Sequence, residues 1–223
     1  MANMGFTYAS EPVQKQLQDY GVRDVAKDVL SKTGLLGPAK DVRNWLGGLL
    51  SGDQLLPPEE DFEFMRELEN MSARTNIPVE YILAIIAKET KRTFDPSIKS
   101  GKSSATGLVQ LLEKTAKEYG TTTKDLRKMT RMQQLPLVEK IITRGYKGTK
   151  PRNLVDAYMS VALPKYVSAA KDKKLYLKGG RTYKNNPSWD SENKGHISKK
   201  TIETDLMKYL PQAQKILGKY RSH

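Results

Sequence analysis

From Asp61 onward, apolar residues recur at the three- and four-residue spacing of a helix face, and no stretch alternates apolar and polar side chains as a half-buried strand does. The spacing predicts helices over 62–71, 79–90, 108–119, 124–129, 135–143, 154–163 and 201–210. Punctuation agrees with it. Pro78 suits a first helical turn, Gly120 is placed to end a helix, and Thr123, Asn153 and Ser198 are placed to begin one. The chain is expected to be mainly α, without internal repeats or low-complexity tracts.

One of these helices carries an anomaly. At 100° per residue, Val79, Ile82, Ile85, Ile86 and Glu89 share an arc, whereas Glu80, Lys88 and Lys91 point elsewhere. Glu89 therefore interrupts an apolar stripe. Apolar surroundings disfavour an ionised carboxylate and raise its pKa toward the range where it donates a proton, which makes Glu89 a candidate general acid. The plainer alternative is a carboxylate paired with a neighbouring lysine.

Composition narrows the chemistry further. With 223 residues, 38% of them hydrophobic, the chain is long enough to bury a sizeable core as one domain with an extension. It has no cysteine and only two histidines, His196 and His223, so thiolate and histidine-rich metal sites are excluded. No metal or cofactor is expected, and catalysis falls to carboxylates, hydroxyls, amides and lysines. Residues 1–12 lack the basic-then-apolar order of a secretory signal. The apolar stretch near Trp45–Leu50 is broken by glycines and too short to span a bilayer, so stable membrane insertion is not expected.

The net charge of +13 is unevenly distributed: residues 1–60 hold six basic and eight acidic side chains, a net −2, which leaves +15 on residues 61–223. The later part suits an anionic partner, either nucleic acid or an anionic cell envelope. Pro57 and Pro58 break the chain after short helical patterns at 13–20 and 22–30. Residues 1–58 read as an N-terminal extension and 59–223 as the catalytic domain. The extension is either an arm packed on the domain or a docking segment for a larger assembly.

Beyond Glu89 come Thr90, then Phe94-Asp95-Pro96, and then Ser103-Ser104-Ala105-Thr106-Gly107-Leu108-Val109-Gln110 leading into a helix. Small residues let a ligand approach the backbone, but taken alone they read better as an ordinary capped turn, with Ser104 or Thr106 satisfying the next amides. In combination, these motifs resemble those of bacteriophage lytic transglycosylases of the soluble-transglycosylase, goose-lysozyme-like type, over roughly residues 75–165. Three departures accompany the resemblance. Four residues separate Glu89 from Phe94, Ser104 stands where glycine is frequent, and the Ala-Tyr-Asn-Ala-Gly type motif becomes Ala157-Tyr158-Met159-Ser160.

The resemblance implies a lysozyme-like helical fold and cleavage of MurNAc–GlcNAc bonds in peptidoglycan glycan strands. It implies Glu89 as the single acid and base, with 1,6-anhydroMurNAc ends as product. Thr90 would orient Glu89 and belong to the substrate site, Ser104 and Gln110 would line the glycan groove, and Tyr158 would face the reacting sugar. Spacing alone favours a core residue at Tyr158, because Leu154, Tyr158 and Val161 share a helical face. A muramidase of the same fold and a non-catalytic, wall-binding virion protein are the rival readings. The setting implied is a phage tail or baseplate acting in the host periplasm, with virion proteins as partners of residues 1–58; the alternative is the host cytoplasm before lysis.

Other charged features read as structural. Asp95, the nearest second carboxylate, precedes Pro96 as a turn residue does. The 190–198 segment resembles a calcium loop, but it has Lys194 at the fifth position and Thr201 at the twelfth, so a solvated turn describes it better. The lysines from Lys171 to Lys184, interleaved with Tyr176 and Tyr183, read first as a solvated face, then as attraction to the wall; no nucleic-acid partner is expected.

Overall fold

The computed structural model describes residues 55–144, 146 and 151–222. The expected extension and its helical patterns at 13–20 and 22–30 lie outside these residues. The compact unit they form begins at Pro57. After a 3-10 turn, Asp61 opens α1 (Phe62–Thr75) by accepting the Phe64 amide, and Asn76 closes it in the left-handed conformation. Pro78 then leads into α2 (Val79–Glu89). A looped segment follows, then α3 (Glu113–Glu118), α4 (Thr123–Leu126), α5 (Arg131–Thr143) and α6 (Leu154–Ala162). A two-residue antiparallel pair, β1 (Tyr176–Leu177) and β2 (His196–Ile197), flanks α7 (Arg181–Asn185). The chain finishes with α8 (Lys199–Leu206) and α9 (Leu210–Arg221).

Among the described residues the protein is thus mostly helical, as a lysozyme-like domain requires. Three features depart from the sequence reading. The segment from Leu108 is not yet helix. Thr106 and Leu111 exchange backbone hydrogen bonds at 3.0 and 2.9 Å, and Gly107 and Gln110 take positive φ, so amides that a helix would use are spent closing a tight loop. α5 begins at Arg131 rather than Leu135, because Thr130 and Gln133 form a reciprocal capping box. The expected single helix over 201–210 is two: α8 ends at Leu206, and Pro211 starts α9 in a first turn that needs no amide from it.

α2 holds the middle of the molecule. Beyond the expected stripe of Val79, Ile82, Ile85 and Ile86, the side chains of Leu83, Ala84 and Ala87 are buried too, so the helix is covered on nearly every side. It packs along α9 and also meets α1, α6 and α8. Its partly exposed residues are Glu80 and Tyr81 in the first turn and Lys88 and Glu89 in the last. A rigid, enclosed helix therefore presents the carboxyl at a defined place.

Candidate active site

Glu89 is the final residue of α2, and Thr90 is its C-cap. Burial raises the Glu89 carboxyl above its ordinary value, and this outweighs the opposing effects of a hydrogen bond from Tyr158 and the positive charge of Lys88. The negative end of the helix dipole acts in the same direction as burial, because it too disfavours a carboxylate. Tyr158 on α6 donates its hydroxyl to Glu89 Oε1 at 2.7 Å. Among the described residues no other group hydrogen-bonds this carboxyl, which leaves Oε2 to carry a transferable proton. The Tyr158 phenol is itself held well above its usual range by burial and by the charges of Glu89 and Asp205, so it stays a donor.

Lys88 is not Glu89's partner. Its ammonium is paired with Asp205 of α8, which removes the plainer alternative for Glu89. Tyr158 is packed as well as bonded. Its ring is only 2% exposed and meets the Trp189 ring edge-on, so it is both the core residue that its helical face suggests and the hydrogen-bond donor to the acid. Its hydroxyl is thus committed to the Glu89 carboxyl. Met159 is fully buried, so it offers no replacement for the amide of the related motif.

Thr90 also belongs to the framework. It is fully buried, its hydroxyl donates to Ile86 O at 2.7 Å and accepts the Phe94 amide at 3.0 Å, and no surface remains for a substrate contact. What it secures is an unusual turn. Lys91, Arg92 and Phe94 all have positive φ, a strained arrangement for non-glycine residues, which persists because its ends are tied down. Asp95 completes the turn by accepting both the amide and the hydroxyl of Ser97 at 2.7 Å.

Ser104 and Gln110 stand on the next loop, both half-buried. Ser104 Oγ accepts the Glu113 amide at 3.0 Å, which is the capping role open to it from the sequence. Gln110 donates from Nε2 to Ile98 O and Gly107 O, so its amide nitrogen is committed to the loop's own backbone. Both are exposed enough to meet a ligand by an edge, while their polar atoms named here already hold the loop in shape.

Two side chains that the sequence reading passed over anchor these loops. Gln134 is buried on α5; its Nε2 donates to Pro96 O at 2.7 Å and Leu126 O at 2.8 Å, and its Oε1 accepts the Leu108 amide at 2.9 Å. Gly107 is required beside it, because a Cβ there would stand 2.6 Å from Gln134 Oε1 at a φ of +84°. Arg131, also buried, donates to Phe94 O at 2.8 Å and lies against the Phe64 ring. The capping box at Thr130 and Gln133 was the available signal that α5 reached back to both.

Residues 68–138 match the family model of the transglycosylase SLT domain. The SLT match runs from within α1 through α2 and the two tied loops to most of α5, so it takes in Glu89 and its anchors and stops short of Tyr158. It supports a lytic transglycosylase family for this part of the chain. No curated protein matches the chain. Outside the SLT segment, Asp190 accepts the Tyr183 hydroxyl and the amides of Lys194 and Gly195, so its oxygens hold the 190–198 loop together. No group of His, Asp or Glu among the described residues is arranged to hold a metal, and none of their helices is long and apolar enough to cross a membrane.

Proposed function

We propose that this protein is a peptidoglycan lytic transglycosylase that cleaves MurNAc–GlcNAc bonds with Glu89 as its only acid and base. The observation that carries the reading is the Glu89 carboxyl, raised by burial, fixed by Tyr158 and lying within the SLT segment. Glu89 gives its proton to the glycosidic oxygen as the C1–O bond breaks through an oxocarbenium-like state. The carboxylate then takes the proton of the muramic acid C6 hydroxyl while O6 bonds to C1. The acid is regenerated and the product is a 1,6-anhydro ring. No water and no second carboxylate enter the balance. Asp95, the nearest rival in sequence, uses its carboxylate on Ser97.

The same reading places the enzyme on a phage tail or baseplate, working in the host periplasm, with residues 1–58 as its docking segment. The division of charge supports it: the slightly acidic first sixty residues suit a protein partner, and the +15 remainder suits an anionic wall. Mass spectrometry of purified cell walls digested by the protein tests the chemistry, with anhydro-muropeptides expected from wild type and about 10²–10⁴-fold less from Glu89→Gln. Reducing muramic acid ends would make the protein a hydrolase. Wall binding without products from either form would make it a structural protein.

A further inference from the structure

Lys88 and Asp205 form an ion pair inside the protein, with side chains 8% and 3% exposed. A pair in such a place is a weak source of stability, since well-packed apolar residues often serve as well or better. Its position is more informative. Lys88 precedes Glu89 on α2, and its Nζ lies 5.7 Å from the centroid of the Tyr158 ring and 5.5 Å from that of Tyr209. An unbroken series of contacts therefore runs from Asp205 through Lys88 and Tyr158 to the Glu89 carboxyl.

We propose that Lys88 and Asp205 act together as a positioning pair for the active site, holding a charge-balanced ammonium on the face of Tyr158 one residue from the acid. The proposal rests on the reading of Glu89 as the catalytic acid. Alone, the Lys88 charge draws the proton off Glu89, and burial prevails over that effect. Asp205 supplies the opposite charge and anchors the lysine. It also adds to the forces that keep the Tyr158 phenol protonated, hence a donor. Among the described residues, the charged and titratable groups around this cluster are Lys88 and Glu89 on α2, Tyr158 on α6, Asp205 on α8, Lys208 and Tyr209 after it, and Arg92 on the turn after Glu89. Lys208 Nζ stands 3.4 Å from Asp205 Oδ1, farther than a tight pair, and Arg92 lies 4.7 Å from the Tyr209 ring and donates to Lys208 O.

The test pairs two readouts in wild type, Asp205→Asn, Lys88→Met and the double variant: the pH–rate profile on cell walls, and the titration of the Glu89 carboxyl followed by carbon-13 NMR. Asp205→Asn leaves Lys88 uncompensated, so both the alkaline limb and the carboxyl titration are expected to move to lower pH. Lys88→Met is expected to move both to higher pH, and the double variant to fall between. Two single variants that shift the same way, or not at all, overturn the proposal, because a merely structural pair would lower the rate without opposed shifts. Should Asp205→Asn fail to fold, Lys88→Met against the double variant decides: a higher limb in the single variant supports the pair, and coincident limbs overturn it. A carboxyl titration that moves while the rate profile does not would uphold the pair and instead refute Glu89 as the acid.

Discussion

A carboxyl raised by burial has a defined influence on stability. Below the ordinary carboxyl range, Glu89 is protonated whether the chain is folded or not, and it costs nothing. As pH rises past that range the unfolded chain ionises while the folded one keeps its proton, so stability is lost until the folded group ionises as well. Glu89→Gln removes this dependence and keeps an oxygen for Tyr158. The melting temperatures of variant and wild type are expected to agree near about pH 3 and to diverge toward neutral pH, with the variant the more stable. Tyr158→Phe tests the other partner. Because the ring is buried and its hydroxyl holds Glu89, kcat is expected to fall about tenfold with KM little changed, and stability by about 1 kcal/mol. Loss of a hydrogen bond that favours the carboxylate also carries the alkaline limb to higher pH. Glu89 stood out in the sequence because it broke a periodic stripe. The double role of Tyr158 did not, because a buried face and a single functional hydroxyl leave the same spacing.

Between the elements, the loops after α2 owe their shape to α5. Gln134 satisfies three buried backbone groups from three separate segments, and replacing it with leucine leaves Pro96 O, Leu126 O and the Leu108 amide without their partner. Gln134→Leu is expected to lower stability by roughly 2–4 kcal/mol in denaturant titrations and to reduce activity in the fraction that stays folded. Helix positions were readable where periodicity and caps coincided, as at Asn153 for α6 and Ser198 for α8. They were misread where long-range pairing prevailed. Leu108–Leu111 has helix-compatible residues, yet Gln134 and the Thr106–Leu111 bonds claim the amides first. β1 and β2 are two residues each, too short to show alternation.

For the whole molecule, charge governs encounter. Residues 61–223 carry +15, and attraction between that surface and an anionic wall is screened over about 8 Å at physiological ionic strength. Activity on intact walls is expected to fall steeply between low and about 0.5 M salt, while cleavage of short glycan fragments, which carry few carboxylates, changes much less; turbidity and product assays across a salt series check both. The mainly α architecture, a central helix ending in an acid, the absence of thiolate chemistry and the basic character of residues 61–223 all follow from the order of residues, because hydrophobic period, caps and composition are local or additive properties. The pairing of Tyr158 with Glu89, the withdrawal of Lys88 to Asp205 and the burial of Thr90, Arg131 and Gln134 are different. Each joins groups from separate segments or depends on what encloses a side chain, and only the packing of α2 among its neighbours decides that.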